Sequence, residues 1–153
     1  SLRLPHGAGD LEVTMTLTNT TAAPLTPRVK IHPEFAAPGK AAPELYLKRD
    51  GTWEPIKLAW LPELTRLPGS SGLAGGSIKP TGASAWAWRV PKGRLKLINR
   101  FDPDEPEHLF YFYRRADQLL NMELVPAQTP LAPGETRTLH STYSITKERL
   151  KKL

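Results

Sequence analysis

The sequence predicts an all-β protein, an antiparallel β-sandwich of two packed sheets, and three observations predict it. Short segments alternate apolar and polar residues with the two-residue period of a half-buried strand. Sixteen prolines and eleven glycines are spread along the chain instead of gathering in one linker, which suits many short strands and turns better than a helical bundle. At 153 residues the chain fits one domain with room for a sizeable core.

The elements follow in order. Leu11, Val13, Met15 and Leu17 alternate with Glu12, Thr14, Thr16 and Thr18, so residues 11–17 read as a strand with one buried face. Asn19 to Pro24 supplies turn chemistry. Val29 and Ile31 then resume an inward face, which places Arg28, Lys30 and His32 together on the opposite one. Residues 44–49 lead into Asp50-Gly51, a strong hairpin signal, and residues 52–58 return, with Pro55 keeping that strand at an edge or bulge.

Residues 61–80, rich in Gly, Ser and Pro, read as one long irregular loop. Residues 83–90 and 94–99 form a hairpin around Pro91-Lys92-Gly93. Residues 108–114, 119–125 and 136–145 complete about nine strands, with Pro133-Gly134 turning the last pair. The expected organisation is a single sandwich domain over 1–145 and a short, basic, dispensable helical tail over 146–153. The expected core comprises Val13, Met15, Leu17, Ile31, Leu120, Met122 and Leu124.

Composition narrows the function classes. The net charge is +6, but the last seven residues hold four bases and one acid, half of the excess. The basic run Arg89, Lys92, Arg94, Lys96 and Arg100 is followed at once by Asp102, Asp104, Glu105 and Glu107, so the two blocks are placed to pair across strands. A continuous basic face interleaved with exposed aromatics is missing, and nucleic acid is not an expected partner. No apolar run approaches the roughly 20 residues that span a bilayer, so no membrane partner is expected either. The absence of cysteine excludes disulfides and thiolate metal sites and leaves the compartment open. The chain opens on Ser1 without an initiator methionine and reads as a processed product or as a piece of something longer.

Motifs for several chemistries are also missing. His6, His32, His108 and His140 show neither HxH nor HExxH spacing, so no metal site and no cofactor are expected. There is no GxSxG elbow, and the glycine-rich residues 68–76 lack the ending of a phosphate loop.

Three groupings of residues remain to be read. Trp86 and Trp88 share one face of a strand, where two indoles can form a stacking platform for a pyranose, or more simply pack in the core. Phe110 and Phe112 alternate with Tyr111 and Tyr113, and one of these pairs must be core. Leu120, Met122 and Leu124 face one way, while Asn121 and Glu123 face the other.

Two stretches carry a resemblance. LTNTTAAPLTPRVKIHPEF (17–35) resembles the "vtvtN", turn and "lgxHPYF" element of the galactose mutarotase (aldose 1-epimerase) superfamily, whose members are antiparallel supersandwiches that handle carbohydrate. NMELVPAQTPLAPGETRTLHSTYSI (121–145) resembles that family's later "LE" strand and "L-x-PGE" turn, in its C-terminal half. The resemblance implies a half-supersandwich. It also implies that His32 matches the histidine that protonates the sugar ring oxygen, and that Glu123 matches the base that takes the anomeric proton.

The chain departs from the pattern at Glu34, where the family has tyrosine, and in lacking the family's N-terminal half. Trp86, Trp88, Glu34 and Arg28 are the expected substrate-binding residues beside His32 and Glu123. The expected function is a carbohydrate-recognising domain, a fragment of a larger sugar-processing protein with further domains. An aldose epimerase using the His/Glu pair is one alternative, and an immunoglobulin-like interaction module is another.

Overall fold

In the computed structural model the described residues are 2–3, 9–37, 41–61, 72–89, 91 and 96–146. Their regular structure is all strand: β1 (Leu2–Arg3), β2 (Asp10–Thr18), β3 (Glu34–Ala36), β4 (Glu44–Arg49), β5 (Thr52–Ile56), β6 (Leu73–Ile78), β7 (Ala83–Arg89), β8 (Lys96–Phe101), β9 (Pro106–Arg114), β10 (Leu119–Pro126) and β11 (Thr136–Thr146). They form a seven-stranded sheet in the order β1-β2-β11-β8-β7-β4-β5 and a four-stranded sheet in the order β3-β10-β9-β6. Every pairing is antiparallel.

The core lies between the sheets. Leu45, Leu47, Trp86, Trp88 and Tyr143 from the wide sheet meet Leu109, Tyr111, Tyr113, Leu120 and Met122 from the narrow one. Phe35 crosses the gap to Tyr143, with ring centroids 5.7 Å apart. One buried polar network ties three strands of the wide sheet. The Trp86 indole N–H donates to Asn99 Oδ1 at 2.8 Å, and Asn99 Nδ2 donates to Ser141 Oγ. Its partners are satisfied, so Asn99 is tolerated at full burial.

Of the expected core, Ile31, Leu120, Met122 and Leu124 are buried, whereas Val13, Met15 and Leu17 are only half-buried. Strand β2 lies toward one end of the seven-stranded sheet, and the four-stranded sheet is too narrow to cover that end fully.

Three further differences from the sequence reading have physical causes. The expected loop contains β6, paired along its length with β9. Its glycines are there for close approach: a Cβ on Gly75 would stand 3.3 Å from the Phe112 ring, and one on Gly76 would stand 3.1 Å from the Tyr111 hydroxyl. Gly-Gly-Ser therefore belongs to a strand that must admit two rings.

The second difference concerns β10 and β11, which are not a hairpin; they belong to different sheets, and Pro133-Gly134 turns the chain between layers. The third is that residues 28–32 do not form a full strand. Only Ile31 bridges, to Leu124, before β3 begins at Glu34. The expected tail helix (147–153) and His6 lie outside the described residues.

Candidate functional site

The segment leading into β3 follows the edge of β10 in one unbroken register. Ile31 exchanges both backbone hydrogen bonds with Leu124 at 3.1 Å, and Glu34 pairs with Asn121. Between them Pro33 accepts from the Met122 N–H at 3.5 Å, but its own nitrogen has no hydrogen to return, so the ladder lapses there. The register places His32 directly opposite Glu123, at a non-hydrogen-bonded position where cross-strand side chains stand closest. Leu124 and Ile31 point into the core, so His32 and Glu123 point out of the sandwich together.

A compact polar cluster results. His32 Nδ1 stands 2.5 Å from Glu123 Oε1, and Lys30 Nζ stands 2.7 Å from Glu123 Oε2. On the other side of the imidazole, Nε2 is 3.2 Å from the Asn121 amide nitrogen and 3.3 Å from Glu34 Oε1. Glu123 is 3% exposed, Asn121 is also buried, and His32, Lys30 and Glu34 are open to solvent above them. The Glu123 carboxylate is thus buried, yet both its oxygens face a hydrogen-bonding nitrogen, as a carboxylate at this depth requires.

Cross-strand register adds two aromatic rings to this face. Glu123 pairs with Phe110 and Asn121 pairs with Phe112, and directly paired residues share a side of the sheet. Both phenylalanines are half-buried, while Tyr111 and Tyr113 are core.

The structure therefore brings together His32, Glu123 and Glu34 from the expected site, and adds Lys30, Asn121, Phe110 and Phe112. Arg28 is exposed four residues before His32, and no hydrogen bond or ion pair joins it to the cluster. Trp86 and Trp88 are a correction. They lie in β7 of the other sheet at 0% and 4% exposure, turned into the core, and cannot form a platform here. The alanines that alternate with them, Ala85 and Ala87, take the outer face instead, in a small apolar cluster with Ile98.

The parity that places Asn121 with Glu123 and Lys30 with His32 is legible in the sequence. The choice of Phe110 and Phe112 over the tyrosines is not, because both pairs are aromatic and only the pairing with β10 decides.

A second polar group decorates the outer face of the wide sheet. Arg89 and Tyr46 both donate to Glu44 Oε2. Burial pushes the Glu44 carboxyl up, but these hydrogen bonds and the Arg89 charge outweigh it and hold the group below the usual carboxylate range. Burial, and then the adjoining Glu44, raise the Tyr46 phenol. Among the described residues no three His, Asp or Glu side chains are grouped to hold a metal ion, and no helix is long and apolar enough to cross a membrane.

No protein-family model and no curated protein matches this sequence. Solved structures do match the fold. The Slr1438 protein from Synechocystis superposes with a TM-score of 0.70 at 13% identity, covering 96% of this chain and 53% of that one. A galactose mutarotase-like protein from Lactobacillus casei gives 0.66 at 15% identity, covering 94% and 61%. A candidate aldose 1-epimerase from Klebsiella pneumoniae gives 0.69 at 14% identity, covering 95% and 45%. The chain thus spans between 45% and 61% of the length of these three structures. At such identities the likeness shows the fold: an all-β antiparallel sandwich of the galactose mutarotase-like kind.

Proposed function

We propose that this chain is a carbohydrate-recognising β-sandwich domain of a larger sugar-processing protein, and that its ligand sits on the outer face of the four-stranded sheet. One observation carries the reading. His32, Glu34, Asn121 and Glu123 converge within hydrogen-bonding range on the face that also holds Phe110 and Phe112. A sugar presents hydroxyls to such polar groups and a flat apolar face to such rings. The mutarotase-like fold of the neighbours lends support by analogy only, because sites are grafted on folds.

Recognition without turnover is the form of the proposal that the geometry favours. Mutarotation needs an acid and a base that each reach a different oxygen of the anomeric carbon, so both groups must be free to face the sugar. Here His32 and Glu123 are in direct contact, and Lys30 occupies the remaining carboxylate oxygen. The epimerase alternative keeps one observation in its favour, the convergence of the same two residues, and requires the sugar to separate them.

Calorimetric titration with neutral monosaccharides, paired with optical rotation of fresh α-glucose and α-galactose, decides between the readings. The expected result is binding that weakens in Phe110→Ala and Asn121→Ala, with no acceleration of mutarotation. Acceleration lost in both His32→Ala and Glu123→Ala would establish the epimerase instead. Absence of binding to any saccharide, with no acceleration, would overturn both.

A further inference from the structure

We propose that the saccharide taken on this face is a uronic acid, its carboxylate lying over Val125 between Lys30 and His108. The inference rests on the carbohydrate reading above and names its substrate class.

Register lays out the outer face of the four-stranded sheet in rows. His32, Glu123 and Phe110 form one row, and Glu34, Asn121 and Phe112 form the next. Carrying the Ile31–Leu124 bridge one residue the other way sets Lys30 opposite Val125, which itself pairs with His108. Lys30, Val125 and His108 therefore make a third row, on the side of the site away from Glu34.

That row has room and charge for an anion. Val125 is short and half-buried, a low floor between two longer side chains whose backbones are two strand spacings, about 9.6 Å, apart. Lys30 Nζ donates to Glu123 Oε2 at 2.7 Å, and its half-exposed ammonium keeps further N–H groups for a ligand. The His108 side chain is half-buried, and among the described residues no hydrogen bond or ion pair engages it. An imidazole has an N–H to donate in either protonation state. Arg28, two residues beyond Lys30 on the same edge, is exposed and likewise has no partner among the described residues. A donor without an acceptor and a cation without an anion thus border one floor.

The distances select a carboxylate borne on the ring itself. Alternate residues along a strand are about 6.6 Å apart, which separates the Lys30 row from the row that holds Phe110. With a pyranose stacked on Phe110, the carboxylate oxygens of a hexuronate stand about 4 Å from the ring centre, and a hydrogen bond of about 2.9 Å spans the remainder. A 6-phosphate projects its acidic oxygens two bonds further and overshoots the row. Charge also fixes the orientation. Glu34 lies four residues from Lys30, about 13 Å along the edge, so a uronate turned end for end meets a carboxylate.

Calorimetric titration of the whole chain with glucuronate and galacturonate, set against glucose, galactose and their 6-phosphates at low and high salt, tests the assignment. One uronate should bind about tenfold more tightly than its neutral counterpart at low salt, the effect of one charge-assisted hydrogen bond, and the preference should shrink at high salt. His108→Ala and Arg28→Ala should each reduce that preference while the neutral sugar keeps its affinity, which also shows that the variants are folded. Lys30→Met should abolish the preference. Uronates bound no more tightly than neutral sugars would overturn the inference and leave the carbohydrate reading standing. A preference unchanged in His108→Ala and Lys30→Met, or a 6-phosphate bound more tightly than the uronate, would overturn it equally. Binding of no sugar at all would remove the carbohydrate reading and this inference with it.

Discussion

His32 and Glu123, 91 positions apart in the chain, face one another across adjacent strands with Nδ1 and Oε1 2.5 Å apart. The contact is a product of register, since the Ile31–Leu124 bridge and the Glu34–Asn121 pair on either side set Glu123 directly opposite His32. Lys30, which is half exposed, holds the other oxygen of this nearly buried carboxylate at 2.7 Å.

That arrangement predicts how the cluster responds to truncation. Lys30→Met should lower stability by about 1–3 kcal/mol, the range for a hydrogen bond to a charged group that leaves its partner buried. Urea denaturation of the variant measures it. A change below about 0.5 kcal/mol, typical of neutral surface substitutions, would show that His32 alone suffices for Glu123.

Core packing gives a second expectation. Leu120 is fully buried on the inner face of β10, and Leu120→Ala should cost about 2–5 kcal/mol. Leu17→Ala should cost clearly less, because Leu17 is only half-buried. Equal losses would contradict the account of β2 as incompletely covered.

The glycines of β6 give a third. Gly76→Ala puts a methyl 3.1 Å from the Tyr111 hydroxyl, which also accepts the Ala59 N–H at 2.9 Å. Overpacking of this kind costs about 1–3 kcal/mol. Tyr111→Phe in the same background should recover part of the loss by removing the crowded oxygen. No recovery would place the strain elsewhere.

The fourth concerns pH. Burial pushes the Tyr143 phenol up to about 12, with Ser141 pulling weakly the other way. Its value in the unfolded chain is about 10, so between pH 10 and 12 the folded state holds a proton that the unfolded state has lost. Stability is therefore fully present below about pH 10 and falls as pH rises toward 12, by about 2–3 kcal/mol in total. Tyr143→Phe should flatten this alkaline limb. Glu44 works in the opposite direction: its lowered carboxyl stabilises the fold above the ordinary glutamate range, and that contribution fades as pH falls.

Much of the fold was legible in the sequence because alternation reports burial directly. It identified the inward residues of β10, the β4–β5 hairpin at Asp50-Gly51 and the β7–β8 pair. It misread β6, where glycines required by the Phe112 and Tyr111 rings look like loop glycines until the neighbouring strand is known. For the site, parity put His32 and Glu123 on faces of matching sense. Which aromatic residues join them depends on pairing between distant strands, and no local pattern carries that. Trp86 shows the reverse case: its size invites a surface role, while its indole N–H is met by Asn99 within the core.

The central claim is that the outer face of the four-stranded sheet is the ligand-binding surface. Its most direct test is a saccharide titration followed by backbone amide shifts of the whole domain. The account predicts perturbations concentrated at residues 32–34, 110–112 and 121–123, with the indole resonances of Trp86 and Trp88 unmoved. Shifts centred instead on the outer face of the seven-stranded sheet, around Tyr46 and Trp53, or no shifts with any saccharide, would contradict it.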